Sequence, residues 1–378
     1  MTSFVRPKRL QGVEKSIIRQ IFDKALPGSI NLGLGEPDLL TPEIIRRAAL
    51  RVIAEEQHGY TSHAGLLSLR EKIASEYPYL KDNPERVIVT AGSQEALYLA
   101  LMTLVDEGDE VLLPNPGFVA YPAIVRMAGG KANFYCLPET MDFGFDADEF
   151  RRALTPQTKV VVCISPSNPT GRTLSKDDLV AITDTLRDHN AYLISDEIYR
   201  ELYYTPERPD SPSSLYESTI VIGGLSKSMS MTGWRLGWMC GPEEIIAAAL
   251  VLHGYVTTCA STVSQKAALS AWTEEAASAR IGFRETFRLR REHLLRLIDG
   301  ELGLRAVVPD GAFYTMLDVR KFGRSTEVAE ALLKERVITV PGAAFGSESE
   351  GFLRVSFCAG PDVLTEGVRR IKSALSRF

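Results

Sequence analysis

Gly223–Gly237 reads GGLSKSMSMTGWRLG and follows the short apolar run Thr219–Ile222, TIVI. The run has the length and β-branched content of a buried strand. Two glycines and a serine then lead to Lys227, and Arg235 follows between Trp234 and Gly237. In open α/β sheets the carboxyl ends of the strands are where ligands bind. Burial there disfavours the ammonium form of a lysine, and the neutral amine is a nucleophile towards carbonyls. An arginine nearby offers a fork suited to phosphate. Taken alone, a lysine in a Gly/Ser loop is more often a solvated surface residue. The reading therefore depends on what the other strands carry to the same edge.

From about Arg86 apolar runs alternate with helical stretches. The runs are RVIVT (86–90), EVLLP (110–114), KANFYCL (131–137), KVVVCIS (159–165), AYLIS (191–195) and TIVIG (219–223). Helices are expected between most of them, including Gln94–Leu104 and Lys176–His189. Val/Ile-rich strands alternating with helices indicate an α/β fold with a mostly parallel sheet covered on both faces. From Glu274 the composition shifts to a long charged amphipathic helix, then short strands (AFYTMLDV, RVITV, FLRVSF) and helices over 326–336 and from Leu364 onward. This predicts a second, smaller α+β domain. Leu10–Leu26 reads as a helix, and Thr41-Pro42-Glu43 as a cap and first turn. The expected division is an N-terminal segment (1–42) joining the small domain, a large domain (43–273) and a small C-terminal domain (274–378).

Four strands run into distinctive polar groups. RVIVT leads to Gly92-Ser93-Gln94, a small-residue turn opening a helix whose free N–H groups and dipole favour a phosphate. KVVVCIS leads to Asn168 in a Pro-rich turn, where an amide could bond a ring oxygen or a carboxylate. AYLIS leads to Asp196-Glu197-Ile198-Tyr199; a carboxylate at a buried strand end needs a partner, either a protonated heterocyclic nitrogen or a metal ion. TIVIG leads to Lys227. No G-x-x-x-x-G-K-[ST] run exists in the chain, which disfavours a nucleotide-hydrolysing P-loop. A parallel sheet would bring all four groups to one edge. A Schiff-base lysine with an aspartate for a pyridinium nitrogen is the pattern of pyridoxal phosphate binding.

Composition sets the outer limits. The 378 residues are 45% apolar and 24% charged, ordinary for a folded protein of two to three domains. A net charge of −5 argues against a nucleic-acid partner. No run approaches the ~18 apolar residues of a membrane span. The opening residues, MTSFVRPKRLQG, contain no apolar core of a secretory signal. Five scattered cysteines without a C-x-x-C pair suit a reducing cytoplasm, and no metal site is expected.

At this point the sequence resembles the class I/II aminotransferases, the fold-type I family that includes aspartate aminotransferase. The resemblance covers nearly the whole chain. It rests on GEPD (35–38), the Tyr60 region GYTSHAGLLSLREKIA, VTAGSQEAL, GDEVLLPNPGF, NPTG (168–171), DEIY (196–199), SKSMSMTGWRLGW, VPDGAFY, PGAAFG and FLRVSF. It implies pyridoxal 5'-phosphate as cofactor and transfer of an amino group between an α-amino acid and a 2-oxo acid, by a ping-pong mechanism through a Lys227 Schiff base. Asp196 would keep the ring nitrogen protonated. Tyr199 and Asn168 would bond the ring's phenolic oxygen, and Phe118 would stack on the ring. Arg235, Ser226 and the backbone of Gly92, Ser93 and Gln94 would take the phosphate. Arg354, helped by Gly35, would clamp the substrate carboxylate. Tyr60 would reach the neighbour's phosphate in a homodimer with shared active sites. Gly224 and Phe118 depart from serine and Trp/Tyr in some relatives. Aspartate or a related amino acid is the expected donor, with a β-lyase or decarboxylase on the same fold as the alternative.

Overall fold

The computed structural model describes residues 4–378; the first three residues of the N-terminal stretch read above lie outside it. Twelve strands are present among the described residues: β1 (Ile30–Asn31), β2 (Val87–Thr90), β3 (Glu110–Asn115), β4 (Lys131–Cys136), β5 (Thr158–Ile164), β6 (Tyr192–Asp196), β7 (Thr219–Gly224), β8 (Gly237–Cys240), β9 (Tyr314–Asp318), β10 (Val337–Ile338), β11 (Val340–Pro341) and β12 (Phe352–Ser356). Seven form the main sheet, in the order β2-β8-β7-β6-β5-β3-β4. Only β8 runs against its neighbours, pairing antiparallel with both β2 and β7. The other pairs, β3–β4, β3–β5, β5–β6 and β6–β7, are parallel.

The apolar runs become strands because both of their faces are buried. Val160, Val162 and Ile164 of β5 pack with Ile194, Ile220 and Ile222 on one face. Val161 and Cys163 pack with Leu112 and Leu193 on the other. Every such side chain taken out of water stabilises the fold by about 1.5–3 kcal/mol before entropy is counted. The helix Ser93–Leu104 and the capped helix Lys176–His189 cover the sheet, the latter starting with a reciprocal Ser175–Asp178 capping box.

Towards the C-terminus, β11, β12 and β9 form a three-stranded antiparallel sheet. The N-terminal β1 pairs in parallel with β10. The run RVITV is thus not one strand: Val337–Ile338 joins β1, and Val340–Pro341 joins β12.

Two further expectations need correction, and one strand is new. The helix read over Leu10–Leu26 spans only Ile17–Asp23, because the Ser16 hydroxyl accepts the Arg19 N–H and caps it there. Thr41 does not cap the helix Glu43–Glu55; its hydroxyl donates to the Ser230 carbonyl instead. Strand β8 was not anticipated. It turns the lysine loop back into the sheet, which brings Arg235 to the edge reached by the ends of β2, β5, β6 and β7.

Candidate active site

That edge opens into a cavity of about 260 Å³. Its wall carries Gly35, Ser93, Gln94, Phe118, Asn168, Asp196, Tyr199, Ser226, Lys227, Arg235 and Arg354, eleven of the thirteen residues singled out from sequence. Gly92 stands just behind the wall, packed against the Arg235 guanidinium. Tyr60 is elsewhere, 88% exposed on the surface.

Lys227 leaves the end of β7 and turns inward. Its Nζ donates to the Gly35 carbonyl at 2.8 Å, and burial pulls its pKa below the ordinary lysine value. Gly35 has no room for a side chain, since a Cβ there would collide with the Tyr314 hydroxyl. Glycine therefore lets the N-terminal segment lie directly over the lysine.

Asp196 ends β6 and is 5% exposed. Tyr121 Oη donates to its Oδ2 at 2.9 Å and the Ile198 N–H to its Oδ1 at 3.2 Å. Burial outweighs both donors and pushes its pKa up to about 6. The next residue, Glu197, turns away from the cavity. It accepts from Ser195 and Ser211 and pairs with Arg200 at 3.3 Å. The two carboxylates thus serve opposite sides of the strand end, unlike a pair that would share one metal ion.

Arg354 lies in the middle of β12, in register with Met316 of β9 and Val340 of β11. It is 3% exposed. Its Nη1 donates to Asn168 Oδ1 at 2.7 Å and its Nη2 to the Gly33 carbonyl at 2.5 Å, while Nε has no partner. The rings of Tyr314 and Phe345 flank the guanidinium, 4.3 and 4.8 Å from their centroids. No carboxylate among the described residues pairs with it, and burial lowers its pKa. A buried, unneutralised guanidinium is costly unless an anion arrives. Because Asn168 spends its oxygen on Arg354, its NH₂ group is left to face the cavity.

The far end is built for a second anion. Arg235 adopts a left-handed backbone (φ 52°), and its guanidinium donates to the carbonyls of Thr232 and Ala91 at 2.9 and 3.4 Å. Beside it starts the helix Ser93–Leu104, whose first N–H groups have no intrahelical acceptor. A Cβ on Gly237 would stand 2.5 Å from the Ser93 nitrogen, so only glycine lets β8 pass this close. Ser226, nearly buried, completes that end.

Sequence reading missed Tyr121 and Tyr314. Tyr121 holds Asp196, and its ring meets Phe118 edge-on at 5.6 Å. Tyr314 Oη lies 2.9 Å from Tyr199 Oη, and burial raises the pKa of both phenols, that of Tyr314 to about 12. Neither tyrosine ends a strand of the main sheet, so the search along strand ends passed them by. Ile18, Leu34 and Thr232 also line the cavity and carried no chemical signal.

Comparison with known proteins agrees with this geometry. The family described as aminotransferase class I and II matches residues 27–371. A probable aspartate aminotransferase of Methanocaldococcus jannaschii is 35% identical over 96% of this chain and 98% of that protein. A probable N-acetyl-LL-diaminopimelate aminotransferase of Bacillus subtilis is 39% identical over 91% of this chain and 88% of that one. The solved structure of aspartate aminotransferase from Thermus thermophilus with maleate superposes with a TM-score of 0.93 at 35% identity, covering 98% of this chain and 100% of that one. The chain belongs to the class I and II aminotransferases.

Proposed function

We propose that the cavity holds pyridoxal 5'-phosphate on Lys227 and moves an amino group from an α-amino acid to a 2-oxo acid in two half-reactions. The observation that carries this reading is the pairing of a buried, readily deprotonated lysine with a buried arginine that lacks a counter-ion, on one wall. The residues fit the cofactor. Arg235, Ser226 and the first amides of Ser93–Leu104 form an anion cradle at one end, and Gly92 and Gly237 keep side chains out of it. When bound, the cofactor supplies an aldehyde that captures amines and a protonated ring that accepts electrons from the substrate Cα.

The protein's own residues do the rest. Asp196, held by Tyr121, would face the ring nitrogen and keep its proton in place. The Asn168 NH₂ group and the Tyr199 hydroxyl would donate to the ring's phenolic oxygen, with Tyr314 orienting Tyr199. Phe118 would cover one ring face. Arg354 would take the substrate carboxylate through its unpartnered edge, which fixes the torsion about Cα. Lys227 Nζ would then remove the proton from Cα and deliver it to the acceptor atom. Tyr60 would complete the neighbouring subunit's phosphate site in a homodimer, and the protein would work in the cytoplasm. We assign residues 43–273 to a large domain, and 1–42 with 274–378 to a small one; the β1–β10 pairing supports that grouping.

The test is a half-reaction. Purified protein loaded with pyridoxal phosphate should change its visible spectrum on adding an amino acid and release one equivalent of the 2-oxo acid. Lys227→Ala should release no 2-oxo acid. A Lys227→Ala protein that still converts donor at the normal rate would refute the assignment.

A further inference from the structure

Behind the phosphate end of the cavity lies a polar cluster that the proposed chemistry does not use. Glu95 on the helix Ser93–Leu104 meets His253 and Thr257 at the end of the helix Glu243–Val256. The Glu95 Oε2 accepts the Ala91 N–H at 2.5 Å. Its Oε1 accepts from the Thr257 hydroxyl and lies 3.0 Å from His253 Nδ1. Burial alone would raise the pKa of Glu95, but the donors His253, Thr257 and Ala91 outweigh it and hold the carboxyl below the ordinary glutamate value. An ionised carboxylate can only accept, so Nδ1 of His253 is the donor. The His253 ring is fully buried, and its Nε2 has no partner among the described residues. The hydrogen bonding of that ring is therefore spent on Glu95.

The carboxylate does more than cap a helix. A glutamate at the third helical position commonly reaches back to the N–H of the N-cap residue. Here the N-cap is Gly92, and Glu95 passes it over to hold Ala91. The Ala91 carbonyl in turn accepts from the Arg235 guanidinium at 3.4 Å. Ala91 is thus fixed through its N–H by Glu95 and through its C=O by the arginine of the anion cradle. The free amides at the start of the helix follow it directly. Glu95 itself is not on the cavity wall. Its negative charge still stands within the first turn of a helix whose N-terminus favours an anion, and its three donors spread that charge.

We propose that Glu95 and His253 are positioning residues for the cofactor phosphate. His253 orients the Glu95 carboxylate, and the carboxylate sets the turn 91–93 from which the phosphate-binding amides project. The inference rests on the cofactor reading of the cavity and adds to it two residues that stand outside its wall.

The experiment uses the cofactor-free protein and three probes: pyridoxal 5'-phosphate, pyridoxal and inorganic phosphate. Dissociation constants come from absorbance and calorimetry. Glu95→Gln turns an amide NH₂ towards groups that donate. It should weaken pyridoxal phosphate and inorganic phosphate about tenfold or more, as expected when a hydrogen bond to a charged group is lost. Pyridoxal, which lacks the phosphate, should bind as it does to the parent. His253→Leu should show the same selective loss. His253→Asn, whose amide can donate where Nδ1 does, should recover most of it. Thr257→Val removes a donor from the same oxygen with little change of volume, and it should show the selective loss should the other variants fold poorly. Equal losses for pyridoxal and its phosphate, no loss for either, or His253→Asn no better than His253→Leu would overturn the proposal and leave the cofactor assignment intact. An unaltered protein that binds no pyridoxal phosphate would overturn both.

Discussion

Asp196 is the residue at which burial and chemistry meet. In the cofactor-free protein its pKa is raised from 3.8 to about 6. Between about pH 4 and about 6 the folded state therefore holds a proton that the unfolded chain has released. The group favours folding below about pH 4, and that contribution is lost as pH rises through about 6. In cofactor-free protein, the melting temperature of Asp196→Asn relative to the parent should climb from pH 4 to pH 7; a flat difference would show that Asp196 is not buried as described. The same variant should bind cofactor weaker by about 10²–10³-fold, as expected when one member of a buried charge pair is removed. Arg354→Lys keeps the charge but loses the fork. It should raise KM for the amino acid about 10²-fold, measured in steady state, with little effect on cofactor binding. Lys227, Asp196 and Asn168 were legible in the sequence because each stands at or just beyond the end of a strand, where one-dimensional spacing carries three-dimensional meaning, and Arg235 was legible through its nearness to Lys227. Tyr121 and Tyr314 were not, since a tyrosine on a helix or in another sheet reads as core until its hydroxyl partner is known.

Among the elements, β8 has the largest consequence for its length. Its four residues, GWMC, pair with β2 on one side and β7 on the other. Too short for an alternating pattern and opened by a glycine, it gave no strand signal. Yet it closes the gap between the lysine strand and the helix Ser93–Leu104. Gly237→Ala puts a methyl group against the Ser93 nitrogen, so β8 or the helix must shift. We expect about 1–3 kcal/mol of destabilisation by denaturant titration, together with weakened phosphate binding by calorimetry; unaltered phosphate affinity would show that the close approach does not shape the cradle. The helix-length strand–helix alternation of the main sheet was legible because β-branched runs buried on both faces look like nothing else. The split of RVITV was not, because which of two neighbours a strand joins depends on a chain segment far earlier in the sequence, at Ile30–Asn31.

At the scale of the whole molecule, one face carries apolar side chains that this chain leaves uncovered. Tyr60 is 88% exposed, Tyr255 90% and Val251 64%. His63, near Tyr60, lies beside Gly254 on the helix that bears the other two. Large exposed aromatics grouped on one face mark an association surface. Sedimentation should give about twice 41.7 kDa, and Tyr60→Ala should weaken cofactor binding without dissociating the dimer; a monomer with full cofactor affinity would count against shared sites. The proposed bond between the cofactor and Lys227 is the feature on which the reading of site and dimer depends. Reduction of the loaded protein with borohydride, followed by peptide mass spectrometry, locates it. The expected result is a single phosphopyridoxyl label on Lys227, at one per chain. A label on any other lysine, or none, would contradict the assignment.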